Sequence, residues 1–381
     1  MNTKYFVLIF GIVLVACSTS TQVTQTQLPD DITPPGPSIT PTELLATELP
    51  PPPAQTSTPQ PTSTQIPTET LFPIEFNFTW YENNPILSSG DQGEWDVNQV
   101  LEGKVLYVDD VFHMFYTGLG VNSVGIGYAV SSDGLTFTKH DANPIFQSDG
   151  EGFDTVGVSH GTPLLVGDTW MLFYNAVNVG EKFRADTAGG SSIGVTTAPD
   201  PTGPWSVGQQ VLTSGASGEW DSGFIIPDSI VTTEDGYRMY YSAGPDPDEN
   251  EMMCGMATSS DGITWAKYDD PSTTQAPFAE SDPVLQPGPS AWGSVSIQCR
   301  VLKTDTGWEM FYREWISMSS AAVGYAFSPD GVQWTKYADN PILDRYLFYP
   351  FAIKVGSTYY LYGHEYRFST LLAATGTIDH P

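Results

Sequence analysis

Short runs in which hydrophobic and polar residues alternate fill residues 74–381, and none of them has helical spacing. Alternation with a period of two is typical of β-strands, whereas an amphipathic helix repeats its apolar positions about every three to four residues. Clusters of Gly, Pro, Asn and Asp separate the runs, as expected for turns. The pattern predicts an all-β domain.

The runs recur as an internal repeat. A turn in which Asp-Gly precedes an aromatic residue by three positions occurs at Asp133, Asp261 and Asp330, and a looser copy surrounds Asp200. A strand of small residues, such as 125–129, comes before each turn. Because Asp-Gly between two alternating runs is a strong hairpin signal, we interpret these aspartates as structural turn residues.

Each repeat continues with Asn-Pro-Ile-Leu or a related sequence, then an aromatic-Asp pair, an apolar strand and an aromatic strand. The aspartates of these pairs are interpreted as turn and strand-entry residues: Asp96, Asp154 and Asp221. Five such units of about 60 residues, each with four strands, account for residues 74–381. Four-stranded units repeated around an axis are propeller blades, so the sequence predicts a five-bladed β-propeller.

The two ends of the domain are complementary. Residues 76–80 match the fourth strand of the other units, while the fifth unit stops after three strands. We therefore expect the N-terminal strand to complete the last blade, which closes the ring without an exposed strand edge.

The order of these motifs resembles that of the five-bladed propeller glycoside hydrolases, which include families 43, 32, 68 and 130. The resemblance covers residues 74–381 and implies an enzyme that cleaves glycosidic bonds with a carboxylic acid and a carboxylate. The Asp-Gly turns also resemble the Asp box of sialidase propellers. That match is weaker, because those enzymes use an arginine cluster and the chain has only six Arg.

The resemblance implies that the first strand of each blade lines a central pocket. These strands offer one or two polar residues each: Glu102, His160, Asp228, Gln298 with Arg300, and Tyr349. We predict that Glu102 and Asp228 are catalytic and that the other four bind substrate. The family places Asp, Asp and Glu on the first three blades, whereas this chain has Glu102, no acid near Thr162, and Asp228. A noncatalytic glycan-binding propeller is therefore the alternative, and a propeller for protein partners is a third hypothesis.

The tryptophans and the absence of cofactor motifs bear on how a ligand would bind. Four tryptophans are either sugar-stacking platforms or blade-packing residues: Trp95, Trp220, Trp292 and Trp315. We expect no cofactor, since the chain has no zinc-ligand spacing, phosphate-binding loop or serine-nucleophile elbow. His364-Glu365, after the last aromatic strand, is a candidate site for a calcium ion or a sugar, and the calcium ion is suggested only by relatives with a central ion.

Residues 1–16 have the features of a signal peptide: Lys4 precedes an apolar run at 5–15 that is too short to span a bilayer. The run ends in Leu-Val-Ala-Cys17, which resembles a bacterial lipobox, and an ordinary secretory signal is the alternative. We expect Cys17 to carry the lipid and residues 17–73, with 13 Pro and 19 Ser or Thr in 18–73, to form a disordered linker. The protein would then be exported and anchored to the bacterial cell membrane, facing outside.

The net charge of −30 argues against nucleic acid and anionic lipid headgroups as partners. A carbohydrate ligand, a monomeric state and membrane contact through the lipid alone are expected. Cys254 and Cys299 fall in different repeat units. We expect buried free thiols, with a disulfide as the alternative.

Overall fold

The computed structural model describes residues 74–121, 123–177, 191–245, 251–288, 297–317, 320–343, 347–365 and 370–380. The predicted signal peptide, Cys17 and the linker lie outside these ranges. The described residues form twenty-two β-strands and no α-helix, which confirms the all-β prediction. Within these ranges there is consequently no apolar helix long enough to cross a membrane.

The strands form five antiparallel sheets with four main strands each, and two of the sheets have a fifth, short strand. In four sheets the main strands follow sequence order from the inside outwards, while the outer strand of the last sheet is the N-terminal strand. Blade 1 consists of β3 (Gln99–Val108), β4 (Val111–Leu119), β5 (Val124–Ser131) and β6 (Thr138–Lys139). Blade 2 consists of β7 (Gly157–Val166), β8 (Thr169–Val177), β9 (Ser192–Ala198) and β10 (Gln209–Thr213). Blade 3 consists of β11 (Phe224–Thr233), β12 (Gly236–Gly244), β13 (Met253–Ser259) and β14 (Ala266–Lys267), with β15 (Pro283–Leu285) also paired to β13.

The last two blades follow the same plan. Blade 4 consists of β16 (Ile297–Thr304), β17 (Gly307–Ser317), β18 (Ser320–Ser328) and β19 (Thr335–Lys336). Blade 5 consists of β20 (Phe348–Val355), β21 (Thr358–His364), β22 (Thr370–Asp379) and β1 (Glu75–Trp80), with β2 (Leu87–Ser88) also paired to β22. The first strands of the five blades contact one another in a closed cycle: β3, β7, β11, β16, β20 and again β3. The predicted five-bladed propeller is confirmed.

The N-terminal strand closes the ring as predicted. β1 pairs antiparallel with β22 along its whole length, from Glu75 opposite Asp379 to Trp80 opposite Ala374. Phe76 of this strand contacts the ring of Tyr325 in blade 4, with the centroids 5.0 Å apart. The start and the end of the described chain are thus joined within one sheet.

The core consists of apolar layers between neighbouring blades. Successive residues of a strand point to opposite faces of its sheet, and in a propeller both faces meet another blade. On β4, for example, Phe115 packs against blade 2 and Tyr116 packs towards blade 5. This explains why the second strands are aromatic on consecutive positions rather than on alternate ones.

The Asp-Gly turns have the structural role predicted for them. Oδ1 of Asp133 accepts hydrogen bonds from the backbone N–H groups of Leu135 and Thr136, at 2.8 and 2.7 Å. Asp261 and Asp330 accept the equivalent bonds. The glycine that follows each aspartate has a φ between 74 and 78°, a conformation that favours glycine.

The expectation of free thiols at Cys254 and Cys299 is wrong, because the two residues form a disulfide. Cys254 lies on β13 of blade 3 and Cys299 on β16 of blade 4. Their Cα atoms are 5.9 Å apart, since the ring brings the third strand of one blade against the first strand of the next. The bond therefore links two blades.

Candidate active site

The candidate site lies where the innermost strands enter the central channel, and irregular strand pairing shapes it. The register of the innermost strand shifts at Glu102-Gly103 on β3, His160-Gly161 on β7, Asp228 on β11 and Tyr349-Pro350 on β20. β16 keeps its register past Gln298. A β-bulge turns a side chain away from the regular alternation, and bulges are common beside active sites. Four of the six predicted site residues lie at such bulges.

Three of these residues also have an unusual backbone conformation. Glu102, His160 and Tyr349 have φ values of 57, 56 and 51°, in the left-handed region that residues other than glycine rarely adopt. Such residues cluster at functional sites, where the surrounding structure holds them in place. Their equivalent positions on three blades indicate one shared geometry that directs side chains towards the axis.

Glu102 is bound on two sides. Its carboxylate accepts a hydrogen bond from Thr117 Oγ1 at 2.9 Å, and its other oxygen lies 2.8 Å from Nε2 of His160. Burial raises the pKa of Glu102, but the charge and hydrogen bond of His160, with smaller contributions from His364 and Lys104, outweigh that effect. The pKa of Glu102 therefore lies below its usual value, and this side chain is a carboxylate at neutral pH.

The environment of Asp228 shifts its pKa in the opposite direction to that of Glu102. It is 7% exposed, and its Oδ2 accepts a short hydrogen bond from Ser242 Oγ. Burial raises the pKa of Asp228 to about 6, although Lys104, Ser242, His160 and the backbone N–H of Cys299 each lower it. Asp228 therefore holds a proton at mildly acidic pH. Below about pH 6 the site thus contains one protonated and one ionised carboxyl group, which is the pattern of an acid–base pair.

Lys104 forms part of the floor beneath these residues. It is 4% exposed, and its ammonium donates to the carbonyls of His160 and Pro227 and, at 2.9 Å, to Thr162 Oγ1. Burial lowers the pKa of Lys104 to about 8, while Asp228 and Glu102 raise it. Its three donors fix the backbone at both bulges of blades 2 and 3.

Arg300 lies one step deeper in the channel than Gln298, because it follows on the same face of β16. Its guanidinium lies 3.8 Å from the ring centroid of Phe351, and its Nε donates to Ala352 O at 3.1 Å. It also lines a cavity of about 620 Å³ whose walls are the lower parts of the innermost strands, such as Leu302. The predicted contact between Arg300 and substrate stays a prediction.

Tyr349, Gln298 and His364 surround the upper part of the site. The ring of Tyr349 lies between two histidines, with centroids 5.2 Å from His160 and 5.4 Å from His364. Gln298 Oε1 and His364 Nδ1 are buried and have no hydrogen-bond partner among the described residues. Burial lowers the pKa of His364 to about 4, so its ring is neutral at neutral pH. Both atoms could bind a polar ligand group once the side chains that cover them move aside.

Sequence reasoning missed the residues that support this site. Lys104 is a charged residue two positions after Glu102 on a mostly apolar strand. A charge at such a position indicates a buried residue that supports a site. The position after the tyrosine of each second strand is polar in four blades: Thr117, Asn175, Ser242 and Arg313. Thr117 and Ser242 bind Glu102 and Asp228 directly. This repeated polar position is the signal that would have identified them.

The structure describes the side chains of two of the four tryptophans and the suggested ion site at His364. Trp95 packs against Tyr116 and Trp220 stacks on Tyr241, with centroids 5.9 and 6.0 Å apart, so both pack within the blades. Trp292 and the side chain of Trp315 lie outside the described residues. Within the described ranges no three His, Cys, Asp or Glu side chains are arranged to hold a metal ion. His364 packs against aromatic rings instead.

Comparison with solved structures identifies proteins of the same fold. A glycosyl hydrolase from Bacteroides ovatus aligns with a TM-score of 0.59 and 16% identity, over 79% of this chain and 94% of that one. A glycoside hydrolase family 130 protein described as targeting β-1,2 mannosidic linkages in Candida mannan aligns with a TM-score of 0.58, over 79% and 94%. The β-1,2-mannobiose phosphorylase of Listeria innocua gives 0.54, over 79% and 96%. The sequence resemblance to glycoside hydrolase propellers is confirmed at the level of the fold.

Curated proteins match over shorter lengths, and no family model matches the chain. A β-1,2-mannobiose phosphorylase of a Thermoanaerobacter species is 34% identical over 80 residues, which are 17% of this chain and 26% of that protein. An uncharacterized protein of Mycobacterium tuberculosis is 28% identical over 168 residues, 42% of this chain and 54% of its own length. The chain thus matches about half or less of the length of these relatives.

Proposed function

We propose that the protein is a glycoside hydrolase whose two catalytic groups are Asp228 and Glu102. The observation that carries the proposal is the placement of these two buried carboxyl groups at bulges of innermost strands, in environments that shift their pKa values in opposite directions. Burial raises the pKa of Asp228 to about 6, whereas the environment of Glu102 lowers its pKa. Cleavage of a glycosidic bond needs one protonated acid and one carboxylate, and both are present on bulged strands of one channel.

In this proposal Asp228 gives its proton to the leaving oxygen of the glycosidic bond. Ser242 and the backbone of Cys299 then stabilise the aspartate that remains, because both already bind it. Glu102 stabilises or attacks the positively charged anomeric centre, either directly or through a water molecule. His160 orients Glu102 through the contact at 2.8 Å.

The polar atoms around the carboxyl groups suit a sugar. Gln298 Oε1 and His364 Nδ1 lack partners among the described residues, and a buried polar atom without a partner costs about 1–3 kcal/mol. Sugar hydroxyl groups would satisfy both atoms.

A mannoside is the substrate class that the comparisons support. The curated relative with 34% identity is a β-1,2-mannobiose phosphorylase, and two of the structural relatives act on or bind β-1,2-linked mannosides. We therefore propose a mannoside with a β-1,2 linkage as the first substrate to test.

Hydrolysis is favoured over phosphorolysis because the two cations Lys104 and Arg300 are already bound to other protein groups. The ammonium of Lys104 is bound to three protein oxygens, and the Nε of Arg300 binds a backbone carbonyl while its guanidinium stacks on Phe351. A phosphate ion would have to compete for these groups, whereas water needs no such cation.

The proposed place of action is the outer face of the bacterial membrane. The lipobox-like sequence ending in Cys17 and the Pro-rich linker support an exported protein held at some distance from the bilayer. An oligosaccharide outside the cell is a substrate that such a tether would reach.

The experiment is an assay of the full-length protein with β-1,2-mannobiose, with and without inorganic phosphate. We expect free mannose to form at the same rate in both conditions. Mannose 1-phosphate formed only in the presence of phosphate would contradict hydrolysis. Saturable binding without any product would instead select the glycan-capture alternative.

A further inference from the structure

Three blades contain the same buried ion pair near the outer strand. Lys139 binds Asp96 at 2.6 Å in blade 1, and Lys267 binds Asp221 at 2.5 Å in blade 3. In blade 4 the partner of Lys336 is Glu314, at 3.2 Å. The three carboxylates are at most 1% exposed, so each needs a cation to offset its lost hydration.

An aromatic ring completes this arrangement. The ammonium of Lys139 lies 5.7 Å from the ring centroid of Tyr116, and that of Lys336 lies 5.4 Å from the centroid of Tyr312. Tyr116 also donates a hydrogen bond to Asp96 at 3.1 Å. A carboxylate and a tyrosine ring together are suited to binding a primary ammonium group.

Blade 2 keeps the carboxylate and the tyrosine but has no lysine at this position. Asp154 is 7% exposed and accepts a hydrogen bond from Tyr174 at 2.9 Å, as Asp96 does from Tyr116. The lysine of the other blades is the second residue after the turn aromatic, which in blade 2 is Trp205. Val207 occupies that position.

Two observations show that no described residue replaces the missing lysine. Val207 is 84% exposed. A side chain at the next residue, Gly208, would begin 1.9 Å from the hydroxyl of Tyr174, so this position is restricted to glycine. Burial and the nearby charge of Asp149 raise the pKa of Asp154 despite the hydrogen bond from Tyr174, as expected for a carboxyl group without a cation.

The space beside Asp154 is open. A cavity of about 490 Å³ is lined by Asp154, Asp149 and Glu151 and by aromatic rings, among them Trp205 and Phe153. Aromatic walls with carboxylates are the usual chemistry for binding organic cations.

We propose that this blade 2 cavity is a binding site for a primary ammonium group, which takes the place that lysine has in blades 1, 3 and 4. The ammonium would contact Asp154 and the ring of Tyr174, and its carbon chain would pack against Trp205. The site is separate from the proposed active site. Amino sugars and lysine side chains both carry this group.

The test is a titration of the full-length protein with n-butylammonium chloride, followed by the indole N–H signal of Trp205 in nitrogen-15 NMR spectra. We expect a saturable shift, and no shift with 1-butanol, which has the same shape without the charge. Asp154→Asn should weaken binding by about tenfold or more, because the buried charge partner is lost. Asp168→Asn, an equal charge change on an exposed turn, should leave binding unchanged.

A second variant covers the case in which Asp154→Asn does not fold. Val207→Lys places a primary ammonium on the rim of the cavity, where it competes with butylammonium, so butylammonium binding should weaken. Parallel titrations with glucosamine and Nα-acetyl-lysine amide test whether the ammonium group belongs to an amino sugar or to a lysine side chain. Tighter binding of either compound than of butylammonium supports the proposal. Absence of saturable binding, equal binding to both variants, or saturation by calcium chloride alone would overturn it.

Discussion

At the scale of single residues, the sequence predicts which side chains of the innermost strands are polar, but it does not predict the backbone conformation at these positions. A polar residue on a strand that is otherwise apolar indicated Glu102, His160 and Asp228, and the structure places all three on the channel. Their left-handed or bulged backbone could not be predicted, because the register shift depends on pairing with the neighbouring strand rather than on local sequence. The roles of these residues stay predictions.

Lys104 shows how one residue can support several others. Its ammonium donates to His160 O, Thr162 Oγ1 and Pro227 O, and therefore connects blade 1 to blades 2 and 3. Lys104→Met would leave these acceptors buried without a donor. We expect a loss of about 3 kcal/mol in the free energy of unfolding, measured by urea denaturation. Lys354→Met, on an exposed part of β20, should change it by less than about 0.5 kcal/mol, and equal effects of the two substitutions would show that Lys104 has no such role.

At the scale of elements, repetition made most of the fold predictable. The Asp-Gly turns, the small-residue strands and the aromatic strands recur in order, and each predicted unit is one sheet of the structure. The disulfide was not predictable, because Cys254 and Cys299 are 45 residues apart and belong to different units. Only the ring brings β13 and β16 together, and the repeat gives no information on contacts between units.

The contribution of the N-terminal strand can be measured by truncation. A chain that begins at residue 86 lacks β1, so β22 has an unpaired edge and the apolar surface beneath Phe76, Phe78 and Trp80 is exposed. Each of these side chains is partly buried, and their combined loss should cost several kcal/mol, about the whole stability of a domain. Differential scanning calorimetry should show a much lower melting temperature than for a chain beginning at residue 74. Equal melting temperatures would mean that β1 does not stabilise the ring.

At the scale of the whole molecule, the net charge bears on how the predicted lipoprotein would be held at a membrane. The chain has a net charge of −30, which disfavours binding to anionic lipid headgroups. Membrane attachment would then depend on the lipid at Cys17 alone. We expect Cys17→Ala, expressed in the native host, to leave the membrane fraction on centrifugation, while Cys254→Ala stays there. Retention of Cys17→Ala in the membrane fraction would mean that the lipobox interpretation is wrong.

In the proposed glycosidase site Asp228 is the acid and Glu102 is the carboxylate. Asp228 with a pKa of about 6 must be protonated to act, and Glu102 with its lowered pKa must be ionised. The rate should therefore rise as Glu102 ionises at acidic pH and fall as Asp228 loses its proton above about pH 6.

The most direct measurement is the pH profile of kcat/KM on β-1,2-mannobiose for the wild type, Glu102→Gln and Asp228→Asn. Both variants keep the shape of the side chain and should lose about two to four orders of magnitude in rate. With a 4-nitrophenyl mannoside, whose leaving group needs no proton, Asp228→Asn should recover most activity and lose the decline above pH 6, while Glu102→Gln should stay inactive. Full activity of both variants on the disaccharide, with an unchanged pH profile, would contradict the assignment.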